Sequence, residues 1–284
     1  MPTFTAACVQ LRSGKEIADN VTAAENLIRA AAGQGAGYIQ TPEMSNVLVR
    51  SREELLARIG GANADAFLLM AKSLSKELEL FIHLGSLAVV GESGKVANRA
   101  FLIGPDGSEI ATYDKIHMFD VDLPNGESWR ESATYEPGKT SVIAELPFAK
   151  LGMAVCYDIR FPAIFRAQAR AGAEVLTGPA AFTRQTGEAH WHVLQRARAI
   201  ENGAFVVSAA QGGRHEDDRE TYGHSLIVDP WGVVIAELET NEPGYVLAEI
   251  DTDQVAKARG RIPAIANERD FTCSLTAGLK ELSA

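Results

Sequence analysis

The sequence predicts an α/β protein with four layers, in which two β-sheets pack face to face and helices cover the outer side of each sheet. Two observations lead to this prediction. The order of strand and helix patterns in residues 3–113 is repeated in residues 151–238. Several predicted strands are apolar on both faces and need cover on both sides, which neither half supplies alone. We therefore expect an α-β-β-α sandwich built from two similar halves.

The first half contains two predicted helices and five predicted strands. Residues 20–34 are rich in alanine, with apolar residues spaced as on one helix face, and the segment ends in glycines. The turn Pro105-Asp-Gly107 joins the last two strands. The predicted strands are residues 3–10, 36–41, 81–89, 99–103 and 109–113, and the predicted helices are residues 20–34 and 64–79.

The second half repeats this order and part of the sequence. Gly35-Ala-Gly-Tyr-Ile-Gln-Thr-Pro42 is similar to Gly172-Ala-Glu-Val-Leu-Thr-Gly-Pro179, and Phe101-Leu-Ile-Gly-Pro-Asp-Gly107 is similar to Leu226-Ile-Val-Asp-Pro-Trp-Gly232. The predicted strands are residues 151–155, 174–178, 204–209, 224–229 and 232–238, and the predicted helices are residues 162–171 and 188–202.

Composition excludes several classes of protein. The 284 residues are 46% hydrophobic and 23% charged, which is typical of a soluble globular protein. The net charge is −10 and there is no block rich in lysine and arginine, which argues against nucleic acid or a membrane surface as a partner. No apolar run approaches about 18 residues and the N-terminus lacks a signal-peptide pattern, so a cytoplasmic location is predicted. Three scattered cysteines do not suggest a disulfide framework.

We interpret residues 1–284 as a single domain, with residues 254–284 as a C-terminal extension that packs on a surface or a partner subunit. Residues 119–139, rich in glycine, proline and glutamate, connect the halves. Loops of this length are usually functional or disordered. The alternative, a linker between independent domains, conflicts with a repeat that makes each half depend on the other.

Cys156 is the first candidate for a reactive residue. The apolar residues 151–155 end at this cysteine and Pro162 fits the first turn of a helix, which indicates a strand-to-helix turn. Backbone N–H groups and the positive end of the helix dipole at such a turn favour a thiolate and an adjacent oxyanion. The alternative is a buried structural cysteine, because free cysteines are often buried.

Glu43 and Lys115 each follow a predicted strand. Burial of Glu43 among apolar neighbours is expected to raise its pKa, which suits a general base near neutral pH. The Lys115 ammonium suits a developing oxyanion or a neighbouring carboxylate. Taken alone, Glu43 also fits a helix cap or a surface carboxylate, and Lys115 also fits a surface lysine.

Together these residues resemble the nitrilase superfamily of carbon-nitrogen hydrolases. The three motifs are Pro42-Glu-Met44, Tyr113-Asp-Lys-Ile-His-Met-Phe-Asp120 and Gly152-Met-Ala-Val-Cys-Tyr-Asp-Ile-Arg-Phe-Pro162, with separations of 72 and 41 residues between Glu43, Lys115 and Cys156. The similarity continues through Thr186-Gly-Glu-Ala-His-Trp191, Arg196-Ala-Arg-Ala-Ile-Glu201 and Gly223-His-Ser-Leu-Ile-Val-Asp-Pro-Trp-Gly232. It covers nearly the whole chain.

The resemblance implies an α-β-β-α sandwich, a homodimer or larger assembly, and a role for each motif residue. Glu43 would be the base and Cys156 the nucleophile, while Lys115 and the backbone N–H of Tyr157 would stabilise the tetrahedral intermediate. Many members have a second glutamate before a Tyr-x-Pro-Gly sequence, and Glu131 fits that place better than Glu127.

The chemistry expected from these residues needs neither a metal nor an organic cofactor. Because a carboxylate beside a thiol opposes thiolate formation, Glu43 is expected to take the proton as Cys156 attacks an amide. Ammonia then leaves and water hydrolyses the thioester. His190 and His192 are two residues apart on a predicted helix and point to different faces, which argues against a zinc site.

Within the superfamily the chain most resembles the deaminated glutathione amidases, followed by the ω-amidases of 2-oxoglutaramate. The resemblance lies in the Thr186 motif, Gly213-Arg-His215 and Tyr222-Gly-His224, whereas the loop at residues 121–129 departs from it. The alternatives are a nitrilase or N-carbamoyl amidohydrolase with the same triad, and a binding protein that keeps the fold without catalysis.

Arg160 and Thr186 are the predicted substrate-binding residues. Arg160 lies four residues after Cys156, in the expected first turn of the next helix, and its planar guanidinium suits a carboxylate. By resemblance, the Thr186 hydroxyl would meet the same end of the substrate. The alternative for Arg160 is a structural ion pair with Asp158.

Overall fold

Two six-stranded sheets form the centre of the protein. The computed structural model describes residues 3–91, 93–123, 126 and 128–275. The strands of the first sheet are Thr3–Gln10 (β1), Tyr38–Gln40 (β2), Phe81–Val90 (β3), Val96–Ile103 (β4), Glu109–Asp114 (β5) and, from the far end of the chain, Gly244–Asp251 (β16). The strands of the second sheet are Val142–Glu145 (β8), Lys150–Met153 (β9), Val175–Thr177 (β10), Phe205–Ser208 (β11), Leu226–Val228 (β14) and Val234–Glu237 (β15).

The two sheets have the same topology. The first has the order β16-β1-β2-β3-β4-β5 and the second has the order β8-β9-β10-β11-β14-β15. In each sheet the second, third and fourth strands are parallel, and every other neighbouring pair is antiparallel. The sequence repeat therefore reflects a structural repeat.

Each half gives one strand to the other half's sheet. Strand β8 follows the five strands of the first half but pairs with β9, and β16 follows the second half but pairs with β1 along eight residues. The sequence patterns missed both strands. Because of this exchange, neither half contains all the strands of its own sheet, which is a stronger reason for their mutual dependence than shared apolar surface.

Residues alternate along β1 between two apolar cores. Ala6 and Cys8 belong to the core between the sheets, which also contains Met153 and Val206. Ala7 and Val9, on the opposite face of β1, belong to a second core between the first sheet and its helices. The helices are Ile17–Gly33 (α1), Arg52–Leu56 (α2), Ala66–Leu78 (α3), Pro162–Arg170 (α4), Arg184–Asn202 (α5) and Asp253–Arg261 (α6). Helices α1 and α3 cover the first sheet and helices α4 and α5 cover the second, which confirms the predicted four-layer sandwich.

Some element bounds differ from the prediction for identifiable reasons. Helix α5 starts at Arg184 rather than at residue 188, because the Thr183 side chain accepts a hydrogen bond from the Thr186 N–H and caps the helix. Strand β4 starts at Val96, three residues before the predicted strand. No helix within the described ranges combines the length and apolarity needed to cross a membrane.

The connecting segment and the C-terminal region are more structured than the patterns indicated. Residues 119–139 contain a hairpin of Asp120–Asp122 (β6) and Ser128–Arg130 (β7), followed by a short 3₁₀ turn at Glu131–Ala133. Helix α6 lies within the predicted C-terminal extension, whose residues 276–284 fall outside the described residues. A second small hairpin, Gly212–Arg214 (β12) with Glu220–Tyr222 (β13), follows β11.

Candidate active site

A cavity of about 300 Å³ lies where strands of both sheets end, and it contains most of the predicted site residues. Its volume is at the lower end of the range typical of small-molecule sites. The predicted residues that line it are Glu43, Lys115, Glu131, Cys156, Arg160 and Thr186. Residues from both halves and from the connecting segment therefore meet in one place.

Glu43 lies three residues beyond the end of β2 and is buried, with 5% of its surface exposed. Close backbone packing holds this segment, because a Cβ atom on Gly85 of β3 would lie 2.1 Å from the Thr41 carbonyl oxygen and 2.5 Å from Pro179. Glu43 Oε2 accepts a hydrogen bond from the Ala181 N–H at 3.0 Å. The carboxylate thus connects the first half to the segment that follows β10.

Lys115 directly follows β5 and is only 2% exposed. Its Nζ donates to Glu43 Oε1 at 2.8 Å and to both carboxylate oxygens of Glu131, at 3.0 and 2.8 Å. Gly138 N–H donates to the Lys115 carbonyl, and a Cβ atom at Gly138 would lie 2.1 Å from the Asp114 oxygen. Gly138 therefore holds the connecting segment against the end of β5.

Glu131 begins the short 3₁₀ turn after the connecting hairpin, and its carboxylate also accepts a hydrogen bond from the Phe119 N–H at 2.6 Å. Sequence reasoning missed Asn98, a buried residue of β4. Its amide donates to Glu43 at 2.9 Å and to Glu131 at 3.0 Å. Asn98 thus holds the two carboxylates on either side of Lys115. The other candidate, Glu127, lies outside the described residues.

Cys156 occupies a sharp turn three residues after β9. Its φ angle is +49°, a left-handed conformation that is unusual for a residue with a side chain and is found at strained functional turns. A 3₁₀ turn, Cys156–Arg160, separates it from α4. The Cys156 N–H is not free, because it donates to the Pro179 carbonyl at 2.8 Å. The predicted strand-to-helix turn is therefore present, with a 3₁₀ turn between β9 and α4, and the N–H of Cys156 itself is already used within the chain.

Asp158 stabilises this turn and was not among the predicted site residues. Its fully buried carboxylate accepts hydrogen bonds from the Val155 N–H at 2.8 Å and the Tyr113 hydroxyl at 2.7 Å. It also contacts the backbone N–H and the ring of His117. Tyr113 and His117 flank Lys115 in sequence, so Asp158 links the lysine and cysteine segments.

Charges within the site favour a thiol beside a carboxylate. Burial raises the pKa of Glu43, but the charge of Lys115 and hydrogen bonds from Cys156 and other donors outweigh burial and hold this pKa below its usual value. Burial and the charge of Glu43 raise the pKa of the Cys156 thiol. The pKa of Lys115 is lowered by burial but raised well above its ordinary value by Glu131 and Glu43. The expectation of a raised Glu43 pKa was wrong because it left out Lys115.

Arg160 ends the 3₁₀ turn rather than beginning α4 as expected. Its guanidinium lies 3.2 Å from His190 Nδ1 and faces the rings of Tyr157 and Phe182, with its central carbon 5.9 and 5.3 Å from their centroids. Among the described residues no ion pair joins Arg160 to Asp158, whose carboxylate is engaged elsewhere. Arg160 therefore faces the cavity without a carboxylate partner from the described chain.

Thr186 lies in the first turn of α5 and lines the cavity. Its hydroxyl is 2.9 Å from the Thr183 hydroxyl and is buried. The Tyr157 ring packs edge-on against Phe119, with their centroids 5.1 Å apart. Tyr157 is thus adjacent to the cavity wall and follows Cys156 in the 3₁₀ turn.

One group within the described ranges has the residue types of a metal site, and it joins His192 to residues other than His190. His192, His224 and Glu237 place their ligand atoms within 4.8 Å of one another. Both imidazoles lie within hydrogen-bonding distance of the same Glu237 oxygen, at 2.8 and 2.7 Å. Hydrogen bonds between the two imidazoles and Glu237 account for this arrangement, and none of the three residues lines the cavity.

Known proteins resemble this chain along nearly its whole length. A deaminated glutathione amidase from Synechocystis sp. is 40% identical over 269 residues, which cover 93% of this chain and 98% of that protein. The human omega-amidase NIT2 is 35% identical over 274 residues, covering 95% and 96% of the two chains. These relatives are amidases of the predicted kind.

A solved structure and a family model agree with these similarities. The crystal structure of the Caenorhabditis elegans NitFhit protein matches with a TM-score of 0.86 and 32% identity, covering 98% of this chain and 70% of that one. The family model for carbon-nitrogen hydrolases matches residues 5–260. The chain therefore belongs to the carbon-nitrogen hydrolase family, in the nitrilase superfamily, as its motifs predicted.

Proposed function

We propose that this protein is an amidase that hydrolyses a small carboxylated amide through a thioester on Cys156, with deaminated glutathione as the leading substrate. The observation that carries the proposal is the convergence of Glu43, Lys115 and Cys156 in a cavity that also contains Arg160 without a carboxylate partner from the described residues. The relatives named above support the choice of reaction.

In the first step Glu43 accepts the proton of the Cys156 thiol while the sulfur attacks the carbonyl carbon. The directions of the two pKa shifts support this assignment, since the thiol keeps its proton until a substrate arrives and the carboxylate is ionised. The carbonyl oxygen becomes an oxyanion. The Lys115 ammonium and the Tyr157 N–H stabilise it, and Glu131 orients Lys115.

The second step breaks the carbon–nitrogen bond. Glu43 returns its proton to the nitrogen, so the amine leaves neutral and an acyl thioester remains on Cys156. The expectation that ammonia leaves holds for 2-oxoglutaramate. With deaminated glutathione the leaving amine is the dipeptide cysteinylglycine, and that expectation has to be revised.

Water completes the cycle. Glu43 accepts a proton from the water molecule as its oxygen attacks the thioester, the carbon–sulfur bond breaks, and the proton passes to the sulfur. The sum of the steps is one amide and one water converted to one carboxylic acid and one amine. The free enzyme is regenerated without any redox change.

The second candidate substrate is 2-oxoglutaramate, which is favoured by the similarity to an omega-amidase. Both candidates have the same 2-oxoglutaryl group and differ in the amine half. A nitrilase and an N-carbamoyl amidohydrolase remain the alternatives with the same triad, and a non-catalytic binding protein is the alternative outside enzymes.

The test is a substrate panel with products measured separately. Deaminated glutathione and 2-oxoglutaramate should both yield 2-oxoglutarate, and only the second should release ammonia. A simple nitrile and an N-carbamoyl amino acid should remain intact. Carbon dioxide from the carbamoyl compound would favour the alternative enzyme, and intact substrates throughout would contradict the proposed function.

We also propose that residues 1–284 act as one cytoplasmic hydrolase domain and assemble as a homodimer. Apolar side chains are exposed on α5 and on the adjacent turn and strand, where Ile200 packs against Gly232. These side chains are Val193, Ile200, Trp231, Val233 and Ile235. Contact with a second copy would remove this surface from water.

Light scattering at micromolar concentration tests the assembly, and a dimer is expected. Val193→Glu should shift the population toward monomer, because it places a charge in the apolar surface. Leu69→Glu on α3 is the matched control, since Leu69 is 50% exposed on the other side of the fold. A monomeric wild-type protein would contradict the proposed assembly.

A further inference from the structure

The cavity contains more positive charge than the proposed chemistry uses. Among the described residues its lining has five cationic and two anionic side chains, although the whole chain carries a net charge of −10. Lys115 is paired with Glu43 and Glu131, and Arg130 is paired with Asp122 outside the cavity lining. The three remaining arginines are Arg50, Arg160 and Arg219.

Arg219 and Arg50 both approach the indole ring of Trp129. Their central guanidinium carbons lie 4.4 and 5.0 Å from the ring centroid. Arg50 is exposed, whereas the Arg219 side chain is only 15% exposed. Arg219 precedes β13, and Trp129 belongs to the connecting hairpin, so this group forms where the two small hairpins face the cavity.

Polar atoms in this group lack hydrogen-bond partners. Arg219 Nε and Trp129 Nε1 are both buried donors without an acceptor in the described structure. Among the described residues, the carboxylate that pairs with Arg219 belongs to Asp217, whose Oδ2 lies 3.7 Å from the guanidinium, beyond hydrogen-bonding distance. Burial lowers the pKa of Arg219, and Asp217 only partly opposes this effect. Unsatisfied buried donors of this kind are costly unless a ligand accepts from them.

Arg219 and Arg160 face different aromatic rings, and both rings are neighbours of Phe119. The Phe119 ring is 6.4 Å from Trp129, which Arg219 contacts, and 5.1 Å from Tyr157, which Arg160 faces. Arg160 ends the 3₁₀ turn that begins at Cys156, whereas Arg219 directly precedes β13 of the second small hairpin. Because the acyl group becomes attached to Cys156, Arg160 in the same turn is assigned to the acyl half of the substrate, which leaves Arg219 for the amine half.

We propose that Arg219, assisted by Arg50 and the indole N–H of Trp129, binds a carboxylate on the amine half of the substrate. This inference rests on the proposed amidase function and narrows its substrate class. The preferred substrate is an N-substituted amide with an anionic group on each side of the scissile bond. Deaminated glutathione satisfies this requirement through its terminal glycine carboxylate, whereas 2-oxoglutaramate has no second carboxylate.

The experiment compares deaminated glutathione with its C-terminal amide, in which a carboxamide replaces the glycine carboxylate. Both compounds have the same acyl half and the same scissile bond. The wild-type enzyme should prefer the carboxylate by about tenfold to hundredfold in kcat/KM, the range for a hydrogen bond between charged groups. Arg219→Gln should reduce this preference to about threefold or less and leave hydrolysis of the carboxamide nearly unchanged.

Two variants serve as controls. Arg219→Lys keeps the charge and should restore part of the preference. Arg214, on the neighbouring strand β12, is exposed and pairs with Asp218. Arg214→Gln should leave the preference unchanged. Equal losses on both substrates in Arg219→Gln, with a lower melting temperature, would show that Arg219 only supports Trp129 and would overturn the inference. A wild-type enzyme that hydrolyses both compounds equally would overturn it as well.

A binding measurement separates failure of the subsite from failure of the proposed function. N-glutarylglycine and its glycinamide are titrated calorimetrically into the Cys156→Ala protein, with and without Arg219→Gln. Tighter binding of the carboxylate that disappears with Arg219→Gln supports the subsite even if no amide in the panel is hydrolysed. Equal binding of the two compounds overturns the subsite even if deaminated glutathione is a good substrate.

Discussion

The two halves have the same topology, and positions at the strand ends of one half correspond to positions at the strand ends of the other. Of the two sets of positions, only one contains reactive side chains. Tyr38 and Val175 correspond in the sequence repeat, and their neighbours across the parallel pairs are Ala6 and Leu151. Leu11 and Cys156 lie five residues beyond these neighbours. Counting onward from these neighbours pairs Cys156 with Leu11. Counting onward from the two repeated segments pairs Glu43 with Ala180 and Lys115 with Thr240.

Hydrogen bonds within the chain occupy the region that corresponds to the candidate site. Gln10 Nε2 donates to the carbonyls of Thr240 and Glu242 at 2.7 and 2.8 Å, and its Oε1 accepts from Ser225. The Leu11 carbonyl accepts from the Gly212 N–H. The repeated fold therefore provides similar strand ends twice, and the side chains decide which set becomes a reactive cavity and which set becomes structural.

Removal of the thiol should have the largest effect and should distinguish the two regions most clearly. Cys156→Ala is expected to lower kcat by about 10⁴-fold or more, because it removes the only proposed nucleophile. Its melting temperature should change little. Leu11→Ala should do the reverse, destabilising the fold by about 2–5 kcal/mol while the folded enzyme keeps its turnover.

The two measurements are initial rates per folded molecule and thermal unfolding. Rapid-quench mass spectrometry should also show a substrate-derived adduct on the wild-type protein and none on Cys156→Ala. Full turnover by Cys156→Ala would exclude the thioester mechanism. Cys156 would then be no more reactive than Leu11 at the corresponding position.

Lys115→Met should have the next largest effect, with a loss of about 10²–10³-fold in the acylation rate, because the lysine charge acts mainly where an oxyanion develops. Substrate binding should weaken much less. Single-turnover kinetics separate the two quantities. Thr240→Val, at the corresponding position, should leave the acylation rate and substrate binding unchanged. If Lys115→Met raises only KM, the lysine anchors the substrate instead of stabilising the oxyanion.

Arg160→Gln should reduce kcat/KM by about a hundredfold for amides with a carboxylated acyl half and only slightly for neutral amides. The corresponding position is Lys15, four residues after Leu11, which forms an ion pair with Glu54. Lys15→Gln should affect neither class. Equal losses for both amide classes in Arg160→Gln, together with a lower melting temperature, would indicate a structural role.

The fold and the site were predictable where the signal is local. The repeated segments gave the two sheets, and short motifs at strand ends gave Glu43, Lys115 and Cys156, which the structure brings together. Their catalytic roles, and those of Glu131, Arg160, Thr186 and Tyr157, stay predictions. Strand β16 was missed because it is a half-exposed edge strand whose partner, β1, lies more than 230 residues earlier in the chain.

Features that depend on several distant residues were not predictable. Asn98 is a single polar residue within a buried strand, and nothing in its neighbours indicates that it bridges two carboxylates. The protonation of Glu43 depends on Lys115, which lies 72 residues away, so burial alone gave the wrong direction for its pKa. Arg219 lies outside the quoted motifs, and only the folded hairpins bring it to the cavity.

The smallest expected effect concerns a titratable residue that only one sheet contains. His83 of β3 is fully buried and corresponds to Val207 of β11, since their neighbours Gln40 and Thr177 correspond in the repeat. The imidazole Nδ1 lies 2.7 Å from the Tyr38 hydroxyl, while Nε2 has no partner in the described structure. Burial therefore lowers the pKa of His83 from 6.5 to about 3.

This shift makes the stability of the whole protein sensitive to acid through a residue that the second sheet lacks. Between pH 6.5 and about pH 3 the unfolded chain protonates His83 and the folded protein does not, so stability is lost as pH falls through this window. At pH 5 the free energy of unfolding should be about 2 kcal/mol lower than at pH 7, a difference set mainly by the unfolded-state pKa.

Urea unfolding of His83→Asn at fixed protein concentration tests this prediction. Between pH 7 and pH 5 the variant should lose about 2 kcal/mol less free energy of unfolding than the wild type. His215, also buried with its pKa lowered to about 4, is present in both proteins and cancels from the difference. Identical pH dependence in the two proteins would mean that His83 accepts a proton in the folded state as readily as in the unfolded chain.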